Sequence, residues 1–147
     1  MRLLREESGS ALIEFAAIMS VMVFLLLGLA DYSCEILWDM QVQNAAIAGA
    51  EYGAVPGNES NLPGIQSYTV ALAPYVPGVA ATATNVWACT PGGASVASIS
   101  LCTGNLTPNK YLIVNTSATV PRMMAYPGIS ANATLRGSAK VRVPWTQ

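Results

Sequence analysis

Apolar positions follow two different rules along this chain. From Ala11 to Ala30 the sequence reads ALIEFAAIMSVMVFLLLGLA, with no polar face and one charge, Glu14. A helix over that stretch is about 30 Å long, the thickness of a bilayer's hydrocarbon core. No proline occurs before Pro56, so the pattern predicts one helix from about Arg5 to Ala54, stopped by Gly53 and Val55-Pro56-Gly57-Asn58. Beyond Pro56 the apolar residues become β-branched or small, and turn signals break them into short runs. Strands are expected over 66–73, 80–88, 96–101, 111–120 and 133–143. In the last of these Arg136, Lys140 and Arg142 share one parity, and Leu135, Val141 and Val143 share the other. The expected fold is α+β: a long N-terminal helix, transmembrane in its first half, with a small antiparallel β-sheet head packed on its outer half. The divisions are residues 1–9 as a leader, 10–54 as the helix with its membrane segment at 11–30, and 55–147 as the head.

Composition sharpens this reading. Hydrophobic residues make up 52% of the 147 and charged residues 10%, far below the roughly one quarter expected of a soluble domain. A cleaved secretory signal is the alternative to an anchor. It calls for a shorter apolar stretch and a small-x-small site, whereas this run ends in Asp31-Tyr32-Ser33-Cys34 and continues as helix. Arg2 and Arg5 precede the span and the next base is Lys110, so the positive-inside rule places the N-terminus in the cytoplasm and the head outside. All acidic side chains lie at or before Glu59, and every base after Arg5 lies at or beyond Lys110. Asp31, Glu35 and Asp39, spaced i, i+4, i+8, form an acidic stripe: either a solvated face or a docking site for the basic head of the same or an adjacent subunit. A net charge of −1 gives no case for nucleic acid.

The start of the span carries the most specific signal. Glu7-Ser8-Gly9-Ser10-Ala11-Leu12-Ile13-Glu14-Phe15 places a glycine, four residues, then an acid and an aromatic. On position alone, Glu14 either reaches the headgroups or pairs inside the membrane, where an unpaired carboxylate at mid-bilayer costs about 2.5–3.5 kcal/mol. The nonapeptide resembles the processing signal of Tad/Flp-type prepilins. With Leu25-Leu26-Leu27-Gly28-Leu29-Ala30-Asp31-Tyr32 and Asn44-Ala45-Ala46-Ile47-Ala48-Gly49-Ala50, the N-terminal third resembles the TadE-like family of pseudopilins, in which Gly28, Asp31 and Tyr32 fall in the family motif. Members commonly carry a base soon after the Asp-aromatic pair; Ser33 and Cys34 stand here instead.

The resemblance implies a minor pilin or pseudopilin. A prepilin peptidase would cut between Gly9 and Ser10. Glu14, with Phe15 beside it, would become the fifth mature residue and pair with the α-amino group of a neighbouring subunit. Implied partners are that peptidase, other pilin and pseudopilin subunits, an inner-membrane assembly platform with its ATPase, and membrane lipid. The implied setting is the bacterial inner membrane or the pilus, and the implied outcome is pilus biogenesis, surface adhesion and biofilm formation.

Further along, Ala45, Ala46, Ala48, Gly49, Ala50 and Gly53 make a small-residue surface suited to close packing against the head or another helix. Tyr32, Ile36, Met40 and Ile47 line an apolar side expected to serve packing. Cys89 and Cys102 bracket a hairpin-like loop in an oxidising compartment, which predicts a disulfide over two free thiols. Cys34 is left as a small buried side chain or a crosslinking thiol. With no His, no acid beyond Glu59 and no nucleophile–base pair, the sequence points to no enzyme, catalytic residue, metal site, cofactor or small-molecule substrate. The competing functions are an uncleaved anchor displaying a ligand-binding β-domain, and the major subunit of a filament.

Overall fold

The computed structural model describes residues 4–91, 93–96, 102, 108–124 and 128–144. Helix α1 runs Leu4–Ala54 without a break, 51 residues and about 77 Å. It stops where expected. Gly57 takes φ +96° and the Asn58 side-chain amide donates to the Tyr52 carbonyl at 3.2 Å, satisfying one of the last free carbonyls.

A second helix, α2 (Leu62–Ala71), occupies most of the segment expected as the strand 66–73. Its start is specified locally: Asn61 caps it, the Oδ1 accepting from Gly64 N at 3.1 Å, and Pro63 sits in the first turn, where its missing N–H costs nothing. Ile65 and Thr69 are buried one turn apart, and Ala73 is buried just past the end. That spacing of four is helical, and it outweighs the β-propensity of Tyr68, Thr69 and Val70.

The remaining elements form one antiparallel sheet in the order β2-β1-β3-β4: β1 Ala80–Ala88, β2 Ser95–Val96, β3 Asn109–Pro121 and β4 Asn132–Val143. The first strand has the bounds its sequence predicts. Of the strand expected over 96–101, residues 97–101 lie outside the described set. Thr82 faces Asn115, which faces Ser138, so outward positions align across three strands. As the alternation implies, Arg136, Lys140 and Arg142 are exposed while Leu135 and Val143 are buried. Lys140 Nζ lies 4.6 Å from the Tyr111 ring centroid, a cation–π contact on this outer face.

The inner face of the sheet packs on α1 in two clusters. Nearer the apolar half of the helix are Val42, Ala45, Ala73, Val76, Ala118, Val120, Ala133 and Leu135, with Trp38 against them. Farther out are Ala50, Ile65, Ala83, Leu112, Val114 and Val143. The helix presents small residues because backbone comes close. A Cβ on Gly49 would land on the Thr69 side chain, and one on Gly53 on Leu112 and Ile65. The sheet edge is sealed by α1 as well: Gln43 donates its amide to the Ser138 carbonyl and accepts from Ser138 N, both at 3.2 Å, so part of β4's open edge is paired by a side chain. The Thr116 hydroxyl donates to the Val42 carbonyl at 2.9 Å.

Tyr32, Ile36, Met40 and Ile47 lie outside both clusters and are exposed, and Ile36 and Met40 line a shallow groove with Leu135. The face of α1 turned to the head carries Gly49 and Gly53 at its closest approaches, together with Val42 and Trp38.

Candidate functional site

The first half of α1 stands clear of the head. Every described residue from Gly9 to Leu27 is exposed, and nothing lies within 4 Å of a Cβ placed on Gly9. Gly9 and Ser10 lie within α1, apart from the described residues of the head. Glu14 and Phe15 are both exposed on this bare cylinder. The helix is long and apolar enough to cross a membrane, and its most apolar window has no residue buried inside the protein. A core helix of a soluble domain would instead be covered by its own fold.

Where the apolar run ends, the head is fastened to the helix. Asp31 is 8% exposed, and its Oδ1 accepts the Met123 backbone N–H at 3.0 Å. One turn on, Glu35 pairs with Arg122, Nη2 to Oε2 at 3.2 Å and to Oε1 at 3.3 Å, with both side chains about one quarter exposed. Partial solvation holds such a pair to about 1 kcal/mol or less, so its value lies in register. Arg122 N also donates to the Ala131 carbonyl at 2.9 Å, tying the start of the β3–β4 connection to its end. Asp39, the third acid of the stripe, is exposed. The stripe is therefore two things: Asp31 and Glu35 dock the chain's own head, and Asp39 faces outward. Of the motif residues, Asp31 holds the head, while Gly28 and Tyr32 remain on the helix surface, half-buried and exposed respectively.

Cys89 and Cys102 form the expected disulfide, with S–S 2.03 Å. It closes a loop with a sequence separation of 13, which in the chain-entropy model stabilises by up to about 3 kcal/mol. Reduction, or the pair Cys89→Ser with Cys102→Ser, is expected to lower head stability by that order. The check is a urea titration of the purified protein with and without reductant; coincident midpoints would show that the bridge contributes nothing. Cys34 is a free, half-buried thiol.

A shallow polar groove of about 680 Å³ lies on the outer sheet face beside Thr82, Asn115, Ser117, Arg136 and Ser138. Its hydroxyls have no base to activate them. Among the described residues no cluster of three metal-ligating side chains occurs.

Three contacts escaped sequence reasoning: Gln43 on the β4 edge, Thr116 on Val42, and the close approach of Gly137 to α1. Only the last left a signal, a glycine in the middle of an alternating strand, which marks a near backbone.

These features define a class: a small α+β head carried on a single helix that outruns it, with the protruding half built for an apolar surrounding. The helix also carries a likeness to known proteins: the family model described as TadE-like protein matches residues 9–51, under a third of the chain. The matched segment is α1 almost to its end and includes none of the head. No curated protein and no solved structure matches the chain.

Proposed function

We propose that this chain is a pilin-like subunit of a Tad or related type IV-like pilus or secretion system, acting in pilus assembly and surface adhesion. The observation that carries the reading is the coincidence of a TadE-like segment, beginning at Gly9, with a helix whose first half is left bare by its own head. In this reading the chain is made in the inner membrane with its N-terminus in the cytoplasm and its head outside, as Arg2 and Arg5 favour. A prepilin peptidase removes residues 1–9. The bare helix then exchanges lipid for the helices of other pilin and pseudopilin subunits, drawn together by the inner-membrane platform.

The outward apolar side chains of the second half support the same reading. Tyr32, Ile36 and Met40 continue the greasy surface nearly three turns past Ala30, beyond what a span alone needs. They suit lateral contact with a neighbouring helix.

The N-terminus decides between this and an uncleaved anchor. Mass spectrometry of the protein from its native host should find a mature chain beginning at Ser10. Gly9→Ile is expected to retain Met1–Gly9 and to remove the protein from sheared pili. A wild-type chain that keeps its translated start would overturn the reading.

A further inference from the structure

The geometry points to a second membrane contact: the head, through Met123 and Ile129 with Tyr32 of the helix beside them, rests in the lipid headgroup layer on the side where α1 leaves the bilayer. The inference rests on the membrane-anchored reading of α1 and adds to it a docking of the head on lipid.

Strand β3 runs down the helix toward the span. Leu112 lies against the site of Gly53, Thr116 bonds Val42, Arg122 pairs with Glu35, and Met123 N reaches Asp31. The two paths keep pace: Gly53 to Asp31 is about 33 Å of helix, and Leu112 to Pro121 about 30 Å of strand, with Met123 two residues further. Asp31 is the first residue after the apolar run 11–30, so Met123, bonded to it just past the end of β3, lies level with the boundary of the hydrocarbon core. Ile129, shortly before β4, lines a groove of about 320 Å³ with Asp31, Tyr32, Glu35 and Arg122, which holds it at the same level. Headgroup regions extend about 5–7 Å beyond the hydrocarbon on each side, and Met123 and Ile129, held beside Asp31, lie within that layer.

The side chains at this level suit it. Met123 is 68% exposed, Ile129 53% and Tyr32 62%. Aromatic rings with a polar tip collect at membrane interfaces. No charged side chain occurs from Met123 to Leu135, whereas Arg122 and Arg136 flank the stretch. The clamp at Asp31 and Glu35 thereby does more than hold the head upright: it sets the height of Met123 and Ile129 against the bilayer.

Collision accessibility of nitroxide labels tests this on the full chain in phosphatidylethanolamine/phosphatidylglycerol vesicles at high lipid-to-protein ratio. In a Cys34→Ala background that keeps the disulfide, single labels go on Met123→Cys, Ile129→Cys, Val21→Cys in mid-span, and Ser60→Cys past the far end of α1. Labels at 123 and 129 are expected to favour oxygen over a water-soluble nickel chelate several-fold more than the label at 60. If 123 and 129 match 60 while 21 reports hydrocarbon, the lipid contact of the head is wrong and the span stands. If 21 also reports water, the anchored reading itself falls. Protection at 123 and 129 that disappears on further dilution with lipid would assign the cover to a second copy of the chain and overturn the lipid contact.

Discussion

Gly137→Leu is expected to lift the head from its helix, at a cost of more than about 3 kcal/mol. A Cβ at Gly137 would stand 2.8 Å from the Val42 carbonyl oxygen and 2.9 Å from the Gln43 Cα. Both are helix backbone, which cannot yield by rotating a side chain. The seam on either side is held by the Thr116 hydroxyl on Val42 and the paired Gln43–Ser138 amide contacts. Moving the strand away to admit a side chain breaks these together. Overpacking alone costs about 1–3 kcal/mol, and each lost hydrogen bond adds about 1. Gly53→Leu makes the informative comparison. Its new side chain would meet the mobile ends of Leu112 and Ile65, so it should cost less despite a comparably close approach. Urea titration followed by tryptophan fluorescence reads both, because Trp38 packs against the cluster beside the seam. A Gly137→Leu midpoint near wild type, or one above that of Gly53→Leu, would show that the strand is not seated on helix backbone.

Gly137 also marks where sequence reading succeeds and where it stops. The long helix was legible because nothing between Leu4 and Ala54 breaks it and Pro56-Gly57 ends it. Strand β4 was legible because one face is charged and the other apolar, so its period of two stands out. The α2 segment was misread because Tyr68, Thr69 and Val70 favour strands locally, while the burial of Ile65 and Thr69 one turn apart is imposed by packing on α1 and β1. Which side of α1 the sheet takes is a related matter: hydrophobicity marks surfaces that avoid water, but the close approaches at Gly49 and Gly53 select the face that carries them. For the site, the acid stripe at 31, 35 and 39 was visible, but the choice of Arg122 among five bases in the head depends on the register of β3 along the helix. No local pattern encodes that register. The protruding half of α1 was legible as an unbroken apolar helix because that much needs no partner within the chain.

Glu14→Leu is expected to insert in the membrane at least as well as wild type and to be absent from filaments. Removing a carboxylate from an apolar span relieves a cost of up to about 2.5–3.5 kcal/mol at mid-bilayer, less near the surface, so the variant should accumulate in the inner membrane. No base of its own span offsets the charge, since between Arg5 and Lys110 the chain has none. In the proposed filament the offset comes from outside: cleavage after Gly9 frees an α-amino group at Ser10, and a neighbour displaced along the bundle brings that amine to Glu14. Each subunit supplies one amine and one carboxylate to a different neighbour, a head-to-tail arrangement that propagates rather than closes. Glu14→Gln keeps shape and polarity but not charge, so it should fail as leucine does, whereas Glu14→Asp should retain part of the assembly. The measurement is the ratio of subunit in sheared filaments to subunit in membranes, with the N-terminus of the membrane pool sequenced to confirm that cleavage still occurs. A normal ratio for Glu14→Leu with a correctly cut N-terminus would mean that the carboxylate does not set the register, leaving the apolar surface alone to hold subunits together.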